Sequence, residues 1–185
     1  MIRPGKREKE QDEAYATAED FCRLFKASMD ELYQLSFLLT ADHQKAERCF
    51  EASLEDCLRS NRVFKEWARS WAKRTIIENA IRRSKPRPGL ASSPAFNVAP
   101  RMGEVTDARR SHGKLKMVLA LPQFERFVFV ISVLERYSVH DSAILLGCSP
   151  REIREAQTRA FSQMGTSPRI VSREGSSERI QGISR

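Results

Sequence analysis

Polar side chains at helical spacing near the carboxyl end of the chain have the chemistry of nucleic-acid recognition. Guanidinium groups pair bidentately with guanine and also bind phosphates, whereas a carboxylate accepts a hydrogen bond from cytosine. The residues that one helix face would present to DNA are Ser149, Arg151, Arg154, Glu155, Thr158 and Arg159. The alternative is a solvated face, on which Glu155 pairs with Arg151 one turn away and Arg159 packs its stem on the helix below.

Three residues of particular shape indicate the element that would position this face. Ala143 lets two helices cross closely, Gly147 makes a tight turn between them, and Ile153 fills the angle from the second helix. The other inward positions of the pattern are Leu146, Cys148 and Ala156. Residues 139–158 are therefore predicted to form a helix-turn-helix of the kind that binds DNA.

Aromatic and basic residues are interleaved in an earlier segment. A surface that holds an unpaired strand combines positive charge with aromatic faces, on which bases stack with about 1 to 3 kcal/mol each. The segment has both kinds of residue: Phe64, Trp67 and Trp71 lie among Lys65, Arg69, Lys73 and Arg74. The alternative for Trp67 and Trp71, which are four residues apart, is a place in a helical core.

Apolar residues recur at helical steps through the first half of the chain. One long stripe covers residues 21–39, and Thr40 and Asp42 interrupt it with capping chemistry. A second helix follows, and a third is predicted over residues 61–83. Three helices of this kind pack into a small bundle.

The apolar period fails over residues 84–113, where four prolines and three glycines occur. A structureless loop of this length is uncommon within one compact domain, so the segment is interpreted as a flexible linker. Helical spacing then resumes, and Pro122 separates a short helix from one over residues 123–137. The β-branched residues 127–133 would also fit a strand, but the helical step favours a helix.

These patterns predict an all-α fold with two small helical domains, a three-helix bundle and a four-helix domain that contains the helix-turn-helix. The first domain covers residues 14–83 and the second covers residues 114–164, with the flexible linker at residues 84–113. The N-terminus, residues 1–13, and the Ser- and Arg-rich tail, residues 165–185, are predicted to be disordered.

The distribution of charge favours two different partners. The 185-residue chain has a net charge of +8, which favours an anionic partner. Residues 8–58 hold five Lys/Arg against thirteen Asp/Glu, a net −8, and residues 59–87 hold ten Lys/Arg against two Glu, a net +8. An acidic block beside a basic block indicates one protein and one nucleic acid, unless both are solvated helix faces. No apolar run approaches the roughly 20 residues of a membrane span, so no membrane partner is expected.

The motifs give no support to enzyme chemistry. The chain has no glycine-rich phosphate loop and no Ser/His/Asp order with supporting context, so it is predicted not to be an enzyme. The four cysteines lack a paired spacing and are accompanied by three histidines. Neither a metal nor another cofactor is therefore expected, and buried free thiols are the interpretation of most of the cysteines.

Several short motifs resemble those of the extracytoplasmic-function group of bacterial RNA polymerase sigma factors. The second domain is similar to sigma region four through Leu121-Pro122, Glu125-Arg126, Phe129-Val130, Ala143, Leu146-Gly147-Cys148-Ser149 and Arg159-Ala160. The first domain is similar to region two through Leu32-Tyr33, Leu39-Thr40, Ala46-Glu47 and the helix from Trp71 to Arg83. The matching parts cover residues 18–164.

The resemblance implies a cytoplasmic protein that binds core RNA polymerase and promoter DNA and directs transcription initiation, with the helix-turn-helix contacting the upstream promoter element. The residues assigned to strand opening are Asn61, Arg62, Trp67, Arg69, Lys73, Arg74 and Asn79. The residues assigned to polymerase contact are Glu47, Arg48, Phe50 and Glu51. Asn61 has a second interpretation as a helix cap. The resemblance also implies that an anti-sigma protein can be a third partner.

The polymerase-contact stretch departs from the family pattern. Arg48 stands where the family has Asp, and Ala52 stands where it has Glu. Reversal of a charge contact weakens binding by several-fold to about a hundredfold when the partner is unchanged. Two further hypotheses follow: a DNA-binding transcriptional regulator with a sigma-like fold that has lost polymerase binding, and a protein-interaction module whose basic helix is only solvated.

Overall fold

A computed structural model describes residues 14–60, 62–89 and 108–165, with the backbone alone at residues 108–112 and 114. Eight α-helices follow one another in these ranges: α1 Ala18–Ala27, α2 Met29–Thr40, α3 His43–Arg59, α4 Ala68–Ser84, α5 Ala108–Ala120, α6 Gln123–Phe129, α7 Val139–Leu146 and α8 Pro150–Gln163. A 3₁₀ turn, Lys65–Trp67, precedes α4, and a π-helical turn, Val130–Leu134, continues α6. The described ranges contain no strand, which confirms the predicted all-α class.

Polar side chains set the start of the first and third helices. Thr17 and Asp20 form a capping box, in which the Thr17 hydroxyl accepts from the Asp20 N–H at 3.2 Å and the Asp20 carboxylate accepts from the Thr17 N–H at 3.0 Å. The Asp42 carboxylate accepts from the Lys45 N–H at 2.9 Å and caps α3. The predicted interruption of the apolar stripe at Thr40 and Asp42 is therefore confirmed.

Two helix boundaries differ from the prediction. The stripe over residues 21–39 is divided between α1 and α2 at Ser28, whose φ of −115° and ψ of 24° depart from helical geometry. The third helix begins with the 3₁₀ turn at Lys65 rather than at residue 61, because Arg62 has a positive φ of 53° that a helix does not accommodate. Both interruptions are local, but apolar residues beside them are exposed: Met29 is 55% exposed and Trp67 is 58% exposed.

The linker predicted over residues 84–113 overlaps two helices at its ends. Ser84 is the last residue of α4, and α5 already begins at Ala108. The rest of this prediction falls on residues 90–107, which lie outside the described residues. Of the predicted disordered ends, residues 1–13 and 166–185 lie outside them as well, whereas Gly165 forms a turn in which its N–H donates to the Ser162 carbonyl at 3.2 Å.

The first four helices pack around a shared hydrophobic core. Helices α2, α3 and α4 contact one another, and α1 packs against α3. The side chains that fill the space between them are wholly or almost wholly buried, among them Phe21, Leu32, Leu39, Ile76 and Ala80. In the described part of the chain, no helix is both long and apolar enough to cross a lipid bilayer.

We call residues 14–89, with α1 to α4, the first segment and residues 108–165, with α5 to α8, the second segment. Helix α6 is the central element of the second segment. Its apolar side chains and those of the π-helical turn are buried, including Phe124, Phe127, Val128 and Ile131. Helix α8 packs along α6, and α7 packs against α8. Residues 127–133 are therefore helical, as predicted, and do not form a strand. Packing in the core outweighs the low helix propensity of their β-branched side chains.

Buried hydrophobic side chains of both segments belong to one continuous cluster. Two polar contacts reinforce it at the ends of helices. The Arg126 guanidinium donates to the Leu39 carbonyl at 3.5 Å, and the Gln123 side chain donates to the Ser84 carbonyl at 3.1 Å. The division into two separate domains therefore stays a prediction, since the described residues of both segments share a core.

Candidate nucleic-acid interface

Two N-terminal caps and one left-handed glycine set the ends of the two helices of the helix-turn-helix. The Ser138 hydroxyl accepts from the Asp141 N–H at 3.0 Å and starts α7. Gly147 ends that helix with a left-handed φ of 63°, which glycine adopts at little cost. Ser149 and Glu152 form a capping box that starts α8, and the backbone hydrogen bond from Ser149 holds the pKa of Glu152 below its usual value.

The inward positions of the motif are those that the sequence predicted. Ile153 and Ala156 of α8 are completely buried, and Ala143 of α7 is 4% exposed. Leu146 is also buried, whereas Cys148 is half-buried at the turn. Burial of this face fixes the rotation of α8 about its axis and so turns its opposite face to solvent.

The exposed face of α8 carries the basic residues. Arg154 is exposed and has no carboxylate within ion-pair distance among the described residues. Arg151 is exposed and donates to Glu155 at 2.8 Å, so the predicted intrahelical pair forms. Exposed pairs of this kind stabilise a helix by only about 0.3–0.5 kcal/mol, which leaves Arg151 free to exchange its partner for a phosphate.

The other predicted recognition residues have intramolecular roles. The Thr158 hydroxyl donates to the Arg154 carbonyl at 3.0 Å, and Ser149 is occupied by the cap. The Arg159 guanidinium donates at 2.8 Å to the carboxylate of Glu125, a mostly buried residue of α6. Arg159 thus links α8 to α6 through its guanidinium, whereas the alternative interpretation expected its stem to pack on the helix below. Arg151 and Arg154 are exposed on the same helix.

The tryptophans of the first segment are not core residues. Trp67 is 58% exposed and Trp71 is 40% exposed, so the alternative that placed both in the core is wrong. Their neighbours form an aromatic surface: Phe64 stacks on Tyr15 with ring centres 4.7 Å apart, and Trp67 meets Phe64 edge-on at 5.2 Å. Sequence reasoning missed Tyr15, which an antiparallel bridge brings to Phe64 from a distant part of the chain.

The basic residues beside these rings are held by acidic partners. Arg69 and Lys73 both pair with Glu31 of α2, and Lys73 also contacts Glu135 at 2.9 Å. The hydrogen bond from Lys73 is the main reason that the pKa of Glu31 lies below its usual value. Arg74 pairs with a carboxylate on its own helix at 2.9 Å. Arg62 instead stacks over Tyr15, 5.8 Å from the ring centre.

Asn79 does not belong to an accessible strand-opening surface. It is 4% exposed, and its side-chain amide donates to Asp56 at 2.9 Å and to Ser53 at 3.2 Å. Arg82 donates to the same Asp56 carboxylate at 2.6 Å. The amide of this side chain joins α3 to α4, so the predicted contact between Asn79 and DNA stays a prediction that would require these hydrogen bonds to break. Asn61, the other predicted amide, lies outside the described residues.

The predicted polymerase-contact residues lie on α3. Glu47, Arg48 and Glu51 are exposed. Phe50 is half-buried and packs edge-on against Phe25, with ring centres 5.3 Å apart. The stretch therefore presents two carboxylates and one guanidinium to solvent, while Phe50 anchors the helix to the bundle.

Among the described residues, no group of three or more potential metal-ligating side chains comes together. No protein-family model matches the chain, and no curated protein matches it significantly.

Proposed function

We propose that this protein is a sigma factor of the extracytoplasmic-function type, which binds core RNA polymerase and directs it to promoter DNA in the cytoplasm. The observation that carries the proposal is the exposed Arg151–Arg154 face of α8, set by the capped turn at Gly147. A helix of this kind enters the major groove with the first part of its exposed face against the bases. Both arginines lie in the first part of α8.

The first segment supplies the remaining elements of the proposal. The acidic residues Glu47 and Glu51 on α3 offer a surface to a basic protein partner. The exposed rings of Trp67 and Trp71 offer faces for unpaired bases. A factor that opens promoters needs a duplex-binding surface, a strand-binding surface and a polymerase-binding surface, and three candidate surfaces lie on different elements of this chain.

A DNA-binding regulator that has lost polymerase binding is the second candidate function. Arg48 favours it, because this exposed guanidinium lies between two exposed carboxylates and weakens their attraction for a basic partner. Co-elution with core polymerase distinguishes the two candidates. A stable complex supports the sigma factor, and run-off transcription from genomic promoters then measures initiation directly. Absence of both complex and transcript, with DNA binding retained, supports the regulator.

The DNA-binding part of the proposal is tested with the double variant Arg151→Ala/Arg154→Ala. Each lost base contact weakens specific binding by about 1–3 kcal/mol, so the affinity for duplex promoter DNA should fall by at least about tenfold. The salt dependence of binding should fall as well. The matched control is Arg23→Ala, which removes another exposed intrahelical pair, Arg23–Glu19, from α1. Equal affinities of the double variant and this control would contradict the proposal.

A further inference from the structure

The apolar stripe that packs α8 on the second segment consists largely of small side chains. Ile153, Ala156 and Ala160 are completely buried, and two of these three residues are alanines. Phe161 adds an edge-on contact with Phe129 near the end of the helix, with ring centres 5.7 Å apart. Apolar burial is non-directional. The stripe therefore decides which face of α8 is turned inward, but it leaves the fine adjustment of the helix to directional contacts.

Two directional contacts extend from α8 on opposite sides of this stripe. The Arg159 guanidinium donates to the Glu125 carboxylate at 2.8 Å, and the Gln157 side-chain amide donates to the Ser132 hydroxyl at 2.8 Å. Residues two apart on a helix project about 200° from each other, so these two donors leave α8 on different sides. Both acceptors belong to one continuous element, α6 and its π-helical turn.

The two acceptors are themselves held in place. Glu125 is 8% exposed, and the Ser132 hydroxyl donates to the Val128 carbonyl at 2.6 Å, which directs its oxygen. The acceptors are seven residues apart in sequence, about 10 Å along the helix, whereas their donors are about 3 Å apart along α8. Contacts arranged in this way resist both a roll of α8 about its own axis and a swing of α8 across α6.

We propose that Glu125 and Ser132 are positioning residues of α8, which set its orientation through Arg159 and Gln157 and thereby its discrimination between DNA sequences. This inference rests on the proposed function and deepens it, because it assigns part of the sequence specificity to residues that do not touch DNA. Glu125 is mostly buried on α6, and Ser132 is half-buried in the π-helical turn.

Base recognition is more sensitive to the orientation of α8 than phosphate contact is. A roll of about 10° moves a side-chain tip that lies about 6 Å from the helix axis by about 1 Å. Binding groups have to be held within about 0.5 Å of the productive geometry, and a bidentate pair with guanine loses its alignment beyond that. Attraction between a guanidinium and a phosphate carries no sequence information and survives such a displacement. Loss of the two contacts should therefore reduce discrimination and spare general affinity.

A double variant on α6 and its π-helical turn tests this expectation without altering a residue of α8. The full chain is titrated with a duplex that the unmodified chain enriches from a random-sequence pool, and with a shuffled duplex of the same composition. Glu125→Leu/Ser132→Ala should lower the ratio of the two affinities by about 5- to 100-fold. The affinity for the shuffled duplex should stay within about twofold. An unchanged ratio, or an equal loss of both affinities, would overturn the inference.

Conservative and matched variants separate positioning from damage to the fold. Glu125→Gln keeps an acceptor oxygen for Arg159 and should retain the ratio within about twofold. Ser162→Ala is the control, because the Ser162 hydroxyl donates at 2.9 Å to the Thr158 carbonyl within α8 itself. It should leave the ratio unchanged, and a loss equal to that of the double variant would contradict the inference.

Single variants cover the case in which Glu125→Leu is poorly folded. Ser132→Ala alone should lower the ratio by about 2- to 10-fold. Gln157→Leu should lower it by a similar factor, and the combination of these two substitutions should add nothing, because both remove the same hydrogen bond. Additive effects would show that the Gln157–Ser132 contact does not position α8.

The orientation of α8 is also measurable without DNA. Residual dipolar couplings of the backbone N–H groups of α6 and α8 report the angle between these two helices. The couplings should differ between the unmodified chain and Glu125→Leu/Ser132→Ala, and they should agree between the unmodified chain and Ser162→Ala. Unchanged couplings in the double variant would refute the positioning role. If the unmodified chain enriches no duplex, the proposed function fails, and the couplings still decide whether the two contacts orient α8.

Discussion

At the scale of single residues, the four cysteines have different surroundings. Cys22 is exposed on α1, whereas Cys49 and Cys57 are buried between α3 and α4. Burial raises the pKa of Cys57 to about 11, and it also raises the pKa of Cys49. The thiolate is the form that reacts with alkylating reagents. Both buried thiols should therefore react slowly, because they are inaccessible and because they stay protonated.

Alkylation with iodoacetamide at pH 8 should therefore modify Cys22 first. Cys49 and Cys57 should react at least about 100-fold more slowly, since they require local opening of the bundle. Mass spectrometry of timed samples measures the order of labelling. Denaturation in urea is the control and should release all four thiols. Rapid labelling of Cys57 in the folded chain would contradict the packing between α3 and α4.

Asn79 shows how burial changes the role of a polar residue. Burial acts to raise the pKa of Asp56, but the hydrogen bonds from Asn79 and Arg82 outweigh it, and the pKa lies below its usual value of 3.8. A pKa that is lower in the folded state means that ionised Asp56 stabilises the fold. This stabilisation is present above about pH 4 and is lost as the pH falls through the folded pKa.

Asn79→Ala should consequently lower the free energy of unfolding by about 1–3 kcal/mol at pH 7, because Ser53 and Asp56 lose a buried donor. The difference from the unmodified chain should shrink below about pH 4, as Asp56 becomes protonated in both states. Urea unfolding at several pH values measures this difference in the free energy of unfolding. Glu78→Gln, at an adjacent position, serves as the control. If the Asn79→Ala variant kept full stability but bound single-stranded DNA more weakly, Asn79 would contact DNA rather than stabilise the fold.

At the scale of the elements, helix ends were predictable where their determinants lie within a few residues. Gly147 and Ser149 specify the turn and the cap of α8 through their own side-chain chemistry, and the structure has both. The break at Ser28 was not predictable from the apolar stripe, because the stripe continues in register across it. The exposure of Trp67 and Trp71 was not predictable either, since it depends on which faces of the 3₁₀ turn and of α4 are covered by distant elements.

The turn at Gly147 gives a prediction at this scale. No atom lies within 4 Å of the position that a Cβ would occupy, so the effect of a substitution is conformational rather than steric. Gly147→Ala places an L-residue at a φ of 63° and should lower the free energy of unfolding by about 1–2 kcal/mol. Gly147→Asn should cost less, because asparagine tolerates this conformation better. Equal stability of the Ala variant and the unmodified chain would show that the turn takes another conformation.

At the scale of the whole molecule, long-range polar contacts join the two segments. Lys73 of α4 contacts Glu135, 62 positions away, and Arg126 contacts the Leu39 carbonyl, 87 positions away. Side chains separated by such distances carry no local pattern, which is why these contacts could not be predicted from the sequence. The element types were predictable and their assembly was not.

Arg126 provides the most direct test of that assembly. It is 6% exposed, and burial lowers its pKa to about 10, so the guanidinium remains charged at pH 7. It donates to the Leu39 carbonyl at the end of α2 and, at 3.2 Å, to the Leu121 carbonyl just after α5. Helix carboxyl ends attract cations, so this single side chain stabilises the ends of two helices.

Arg126→Met keeps the aliphatic stem but leaves these carbonyls without their donor. We expect it to lower the free energy of unfolding by about 1–3 kcal/mol, the loss of the hydrogen bonds being partly offset by relief of the buried charge. Arg154→Met, at an exposed position of α8, is the control and should stay within about 0.5 kcal/mol. Urea unfolding followed by circular dichroism measures both. Retention of full stability by Arg126→Met would mean that Arg126 does not hold the segments together.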